Sequence, residues 1–226
     1  MEWLYWIIGA YLLGSVPFGL LIGLAHGTDI RGHGSGNIGA TNLGRTIGRT
    51  WGIGCFLLDM GKGLAPVLAA GFSFDLIGHW MTDIPAGTSW LWLSVGAAAL
   101  IGHVFPVFLG FKGGKGVATA FGVLLGVFPT LTAAAAAGIV SWLAVIALTR
   151  TVSLASMVAA CMVPLTTAIV LLFMPTDDSV AIAARLAPPM AITLLVATLV
   201  LLRHRSNLAR LLRGSEAKVG SSSEAD

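Results

Sequence analysis

Gly34-Ser35-Gly36-Asn37-Ile38-Gly39-Ala40-Thr41-Asn42-Leu43-Gly44-Arg45 is a polar island in an otherwise greasy chain. Its four glycines let successive backbone N–H groups crowd together. Ser35, Asn37, Thr41 and Asn42 add neutral donors, and Arg45 adds a fixed positive fork. No carboxylate lies in the stretch, so it suits an anion such as phosphate. A flexible polar loop between two membrane helices would have the same composition. On either reading it is a connection between apolar runs.

The runs on either side set the fold class. The chain of 226 residues is 56% hydrophobic with a mean hydropathy of +0.89, and only 10% of its residues are charged. Soluble domains carry about 25% charged residues. The chain therefore reads as an all-α polytopic membrane protein, spanning as one domain over residues 1–213. A polar tail, 214–226, becomes Ser-rich and disordered after Gly220. Thirteen basic against ten acidic residues is too small an excess to imply nucleic acid. Cys55 and Cys161 fall in apolar runs and read as small buried hydrophobes, with no disulfide and no metal site. Glu2 stands where a signal peptide would carry basic residues, and no small-residue cleavage site follows.

A span needs ~20 apolar residues. Trp3 to Ala25 supplies one, kinked at Pro17, and Trp51 to Phe74 a second, interrupted by Asp59 and Lys62. Trp90 to Phe111 is the third. Val117 to Thr149 is too long for one and is divided at Pro129-Thr130 into two short or tilted helices. Val152 to Met174 is the sixth. Met190 to Leu202, beginning as early as Ala183, follows a polar connection from Pro175 to Pro189. Seven alternating spans put Arg31, Arg45, Arg49, Lys112, Lys115, Arg150, Arg203, Arg205, Arg210, Arg213 and Lys218 on one side. The other side holds Asp75, Asp83, Asp177, Asp178 and a single arginine, Arg185. Positive residues stay inside, so the N-terminus is expected outside and the C-terminus in the cytoplasm. There is no internal repeat of the kind that marks transporters built from inverted halves.

Two further segments share that basic side. Gly113-Gly114-Lys115-Gly116, running on to Thr119, places a lysine among glycines at a helix start, where free N–H groups favour an anion. It is not a Walker A loop: Leu109 stands where the first glycine belongs, and Gly116 where Ser or Thr is required. In the tail, His204, Asn207 and Arg210 follow one another at i, i+3 and i+6 and share a helix face. Such a face can hold phosphate and manage a proton. It would equally suit a basic amphipathic helix lying on lipid through Leu208, Leu211 and Leu212. Asp59 and Lys62, one turn apart inside a span, form a pair that is either structural or in touch with substrate. Three glycine-and-basic segments on one side are more than one anion site needs.

These residues resemble the bacterial acyl-phosphate:glycerol-3-phosphate acyltransferases, polytopic membrane enzymes of phospholipid synthesis. The resemblance runs through Gly14-Ser15-Val16-Pro17-Phe18-Gly19, the 34–42 stretch, Asp59 to Lys62-Gly63, and Gly102-His103 to Phe105-Pro106. It continues through Gly113 to Thr119 and Val152-Ser153-Leu154-Ala155-Ser156, and closes on His204, Asn207, Arg210, Gly214 and Glu216. It departs at Gly44, where a bulkier residue is usual, and at Ala209, where a basic or polar one is.

The resemblance implies seven spans and a cytoplasmic active site in the bacterial inner membrane. It also implies transfer of a fatty acyl group from acyl phosphate to the 1-hydroxyl of glycerol-3-phosphate, giving lysophosphatidic acid. No cofactor, metal or obligatory protein partner is expected; the partners are the two substrates and membrane lipids. The implied catalytic residues are Ser35, Lys115, His204 and Asn207. Those implied to hold substrate are Gly36, Asn37, Gly39, Thr41, Asn42, Arg45, Lys62, Gly113, Gly114, Gly116, Thr119, Arg210 and Glu216. Between proton acceptor and phosphate ligand, the flanking Arg203 and Arg205 favour the ligand role for His204.

Two other classes compete. An anion channel would continue polar residues across the membrane, where only Asp59 and Lys62 stand part-way. A non-catalytic lipid-binding protein would not need Ser35, Asn37 and His204 in particular. The soluble acyltransferase signature, Asp five residues after His, is absent: Arg31, Ile38, Ile84, Phe108 and Ala209 occupy those positions.

Overall fold

The structure, a computed structural model, describes residues 1–173 and 179–220 and is helical throughout its long elements. The first apolar run is broken into α1 (Glu2–Gly14) and α2 (Phe18–Ala25). Pro17 lacks an N–H and cannot continue α1. The break leaves the Val16 carbonyl open to Lys62 Nζ, which donates to it at 2.7 Å. The polar loop carries a helix of its own, α3 (Ala40–Thr46), directly followed by α4 (Arg49–Ser73). Next come α5 (Ala86–Val104), the short α6 (Val117–Gly126), α7 (Thr132–Thr149) and α8 (Val152–Leu172). The last are α9 (Ser179–Arg203) and α10 (Arg205–Leu212).

α5 is the central element. It packs against α1, α4, α6 and α9, and its Trp92 is fully buried with the indole N–H donated to the Val67 carbonyl at 2.9 Å. Small residues let the helices touch backbone to backbone, which is how packing is gained where lipid is as apolar as the side chains. A Cβ on Gly63 of α4 would collide with the Thr119 carbonyl of α6, and one on Gly14 of α1 with the Ala99 carbonyl of α5. α7 packs mainly on α8 and leaves Val140, Leu143 and Leu148 facing outward.

Among the described residues, six helical segments are long and apolar enough to cross a membrane: Glu2–Ala25, Arg49–Ser73, Ala86–Leu109, Thr132–Thr149, Val152–Leu172 and Leu186–Arg203. The expected seventh is α6, whose ten residues cover only ~15 Å of a ~30 Å core. Its ends nonetheless belong to opposite groups of loops. It starts at Gly116, beside the basic segments, and leads to Phe128 and Thr130. The Phe128 carbonyl accepts from Gly78 N at 3.2 Å, and Thr130 Oγ1 from Met81 N at 2.8 Å. Trp3 joins the same end, stacked on Phe74 at 4.0 Å.

Several boundaries differ from the sequence reading. The last helix begins at Ser179, ahead of Ala183, and runs on through Pro188 and Pro189, which membrane helices tolerate where neighbouring groups satisfy the freed carbonyls. The acidic connection with Asp177 and Asp178 lies outside the described residues, as does the tail beyond Gly220. Cys55 is buried, but Cys161 sits exposed on the outer side of α8; both are free thiols. Asp59 and Lys62 do pair, at 2.9 Å, deep inside the bundle.

Candidate active site

The three glycine-and-basic segments meet at one end of the bundle. The first is shaped from within by Asn42. This side chain is 2% exposed. Its Oδ1 accepts from Ser35 N at 2.9 Å, and its Nδ2 donates to the Ile30 and His33 carbonyls at 2.9 and 3.1 Å. Asn42 therefore builds the loop and has no amide group left for substrate. Asn37 does similar work, its Oδ1 accepting from Gly39 N at 2.9 Å. Ser35 and Thr41 are exposed.

The second segment is clamped by Arg203, whose Nη2 and Nε donate to the Gly113 and Gly114 carbonyls at 2.6 and 3.1 Å. Gly116, at φ +84°, makes the left-handed turn that starts α6 directly after Lys115. Lys115 Nζ donates to Asn207 Oδ1 of α10 at 2.5 Å. Thr119 is fully buried with its hydroxyl donated to the Asp59 carbonyl at 2.9 Å, so it joins helices and is closed to substrate. Lys62 is equally committed, between Asp59, the Val16 carbonyl and the Phe18 ring. Sequence spacing could not separate these buried roles from substrate contacts.

The third segment folds back on itself. Glu216 receives Asn207 Nδ2 and Ser153 Oγ on one oxygen, at 2.6 and 2.7 Å, and Arg210 Nε on the other at 2.8 Å. Burial opposes its ionisation, yet the hydrogen bonds from Asn207, Ser153 and Arg210 hold its carboxyl below the ordinary range. A carboxylate would repel phosphate, so Glu216 organises the donors around it. Residues 214–220 are thus tied to this end of the bundle: Ala217 O accepts from Arg45 Nη2 at 3.4 Å and Val219 N donates to Arg150 O at 2.7 Å.

His204 is 2% exposed. Its Nδ1 lies 2.8 Å from the Val200 carbonyl, which can only accept, so Nδ1 carries the proton. Burial, reinforced by the Lys115 charge, pushes the imidazole down to about 4. The ring is neutral at physiological pH with its lone pair on Nε2. In that form Nε2 can accept a proton or a hydrogen bond, and it donates to a phosphate oxygen only when the ring is protonated. Burial also pushes Lys115 down to about 8, Glu216 pulling upward and Arg210, Arg45 and Arg203 pressing downward.

Between the first two segments lies a cavity of about 410 Å³, lined by Arg31, Ser35, Gly36, Asn37, Ile38, Phe111, Lys112, Gly113 and Arg203. The cavity carries Arg31, Lys112 and Arg203 on its wall, and Arg203 links it through the Gly113 and Gly114 carbonyls to the loop that bears Lys115. Arg31, Lys112, Arg203 and Ser153 are site residues that spacing did not single out. The three cations stood in the sequence only as part of the basic side, and Ser153 carried no local cue beyond its place in the resemblance.

The family model for glycerol-3-phosphate acyltransferase matches residues 4–214. This chain belongs to that family. It is an acyltransferase and an integral membrane protein. A glycerol-3-phosphate acyltransferase of Trichlorobacter lovleyi is 46% identical over 215 residues, covering 95% of this chain and 96% of that one. The Aquifex aeolicus family member is 39% identical, over 96% and 98% of the two chains. Among solved structures, the glycerol 3-phosphate form of PlsY, an integral membrane glycerol 3-phosphate acyltransferase, superposes with a TM-score of 0.80 at 38% identity. It covers 97% of this chain and 96% of that one. The lysophosphatidic acid form gives 0.78.

Proposed function

We propose that this acyltransferase moves a fatty acyl group from acyl phosphate to the 1-hydroxyl of glycerol-3-phosphate, at the cytoplasmic face of the bacterial inner membrane. The observation that carries the proposal is the pairing of two cation-bearing regions, the Arg31–Lys112–Arg203 cavity and the Lys115–Asn207–Arg210 cluster. Two phosphate-bearing substrates must lie close despite like charge, and this excess of cations allows it. The PlsY forms with glycerol 3-phosphate and lysophosphatidic acid support the acceptor and the product.

In the reaction, the 1-hydroxyl oxygen attacks the acyl carbonyl carbon. The bond between that carbon and the bridging phosphate oxygen breaks, and the phosphate leaves with the electron pair. The hydroxyl proton passes to Nε2 of His204 and then to the departing phosphate. Lys115 and the loop donors balance the negative charge that develops on the carbonyl and phosphate oxygens. Ser35 and Asn37 lie on the cavity wall, placed to orient one substrate, and exposed Arg45 and Thr41 widen the basic approach. The mixed anhydride is already activated, so the chemistry calls for no coenzyme A, metal or protein partner.

Seven crossings, with the N-terminus outside, fit the charge segregation and the passage of α6 between the two groups of loops. Purified protein given acyl phosphate and glycerol-3-phosphate should form lysophosphatidic acid, and should not do so from acyl-CoA. Product from acyl-CoA alone would overturn the donor. A cysteine placed at 34–45 should label from the cytoplasm, and one at 80–86 from outside; the reverse would invert the topology.

A further inference from the structure

Asp59, Lys62 and His103 form a buried ionisable cluster that touches no substrate surface: they are 3%, 3% and 5% exposed. Holding helices together does not require ions, since apolar side chains of similar volume serve as well or better. The arrangement around the Lys115 loop gives the cluster a more specific task. Asp59 Oδ1 faces His103 Nδ1 at 3.6 Å. The opposite edge of the imidazole lies against Gly114, where a Cβ would collide with Nε2. The His103 carbonyl accepts from Gly114 N at 3.1 Å. Three residues beyond Gly116, Thr119 Oγ1 bonds the Asp59 carbonyl. Asp59 and its partner thus bear on the Lys115 segment on both sides of the lysine, while Arg203 holds the outer side of Gly113 and Gly114.

We propose that Asp59 and His103 are positioning residues for Lys115. The carboxylate draws the Nδ1 edge of the ring toward α4. The ring's other edge then forms the wall that sets how deep Gly114, and with it Lys115, can sit. Lys62 holds Asp59 at 2.9 Å and ties it to the broken α1–α2 junction through the Val16 carbonyl. The proposal rests on the placement of Lys115 in the active site. It goes further in assigning control of that placement to a cluster inside the membrane. A displacement of about 1 Å in a substrate-holding group costs on the order of 100-fold in rate.

The test is a double-mutant cycle on the full-length protein. Asp59→Asn and His103→Asn are each measured alone and in the Lys115→Ala background, at enzyme concentrations that resolve residual turnover. Alone, each should lower kcat/KM by ~10–100-fold, and the loss should fall in whichever parameter, kcat or KM, Lys115→Ala also moves. In the Lys115→Ala background each should cost no more than about twofold, the usual scatter of independent substitutions. Equal fold losses in both backgrounds would overturn the proposal. So would failure of both variants to purify folded, since the cluster would then serve stability alone. Absence of lysophosphatidic acid from the unmodified protein would instead overturn the proposed function. Additive losses on an active enzyme would overturn only the positioning role.

Discussion

The protein holds two clusters built from the same ingredients, a carboxylate, a lysine and a histidine. Inside the bundle, Asp59, Lys62 and His103 are closed to solvent, with Lys62 spent on Asp59 and the Val16 carbonyl. At the loop end, Glu216 is likewise spent, on Ser153, Asn207 and Arg210, but Lys115 makes a single hydrogen bond, to a neutral amide. The interior cluster is close to charge balance, whereas the loop end carries arginines and lysines well beyond what Glu216 and Asp29 neutralise. Asp29 is occupied by Arg31, whose hydrogen bonds hold its carboxyl down to about 2. A balanced buried cluster is mechanical; an unbalanced one is a place for an incoming anion.

Substitutions can break this contrast. The largest effect is expected at His204. If the neutral ring takes the hydroxyl proton, His204→Ala and His204→Gln should both lose ~10²–10⁴-fold in kcat, because glutamine cannot hold a proton. A Gln variant turning over near normally, with only KM raised, would return His204 to phosphate binding. Lys115→Ala should lose ~10²–10³-fold in kcat/KM with its thermal midpoint unmoved, and Lys115→Arg should also be poor because a planar fork does not replace a point charge. Lys62→Ala should show the reverse order of effects. It strands Asp59 in the bundle and should cost about 3–5 kcal/mol of stability, read as a lower melting temperature in detergent. An unchanged midpoint would place Lys62 among the functional cations.

Acidity sharpens the contrast. With Lys115 pushed down to about 8, its charge is present below that pH and lost above it. The kcat/KM profile of the free enzyme should therefore fall on the alkaline side from pH 8, toward tenfold per unit. Stability should move the other way. Between pH 8 and the ordinary lysine value the unfolded chain binds more protons, so this group favours the folded state increasingly as pH rises. Glu216→Gln removes a charge that holds the Lys115 proton, and should shift the alkaline fall to lower pH. For His204 the window is acidic. Between its ordinary value and about 4 the unfolded chain is the better protonated, so its contribution to stability declines as pH drops through that range. The smallest effect is expected at Arg45, exposed and held by one 3.4 Å contact to Ala217. Arg45→Ala should raise KM by a few fold, on the order of a surface charge contribution, with no measurable loss of melting temperature.

Much of this was open to a reader of the chain. Apolar runs, the break at Pro17 and the pairing of Asp59 with Lys62 follow from hydropathy and helical spacing. The convergence of three basic segments followed from charge placement, because lipid admits so few ionisable residues that those present must gather at the ends. Roles within the segments were harder to read. Asn42 and Asn37 look alike as loop amides, yet Asn42 is fully occupied by Ile30, His33 and Ser35. Glu216 looked like a substrate contact and proves to be the acceptor around which Ser153, Asn207 and Arg210 gather.

Composition and spacing by themselves determined that the chain is a helical membrane protein with one strongly basic, glycine-rich end, because burial of backbone and charge in lipid leaves few alternatives. Only the tertiary structure decided which donors remain free for an anion, that His204 is neutral with its lone pair on Nε2, and that His103 rests against Gly114. Those outcomes depend on distances between helices far apart in sequence, and a hydrogen-bonding group is available to substrate only when no neighbour brought in by packing has already taken it.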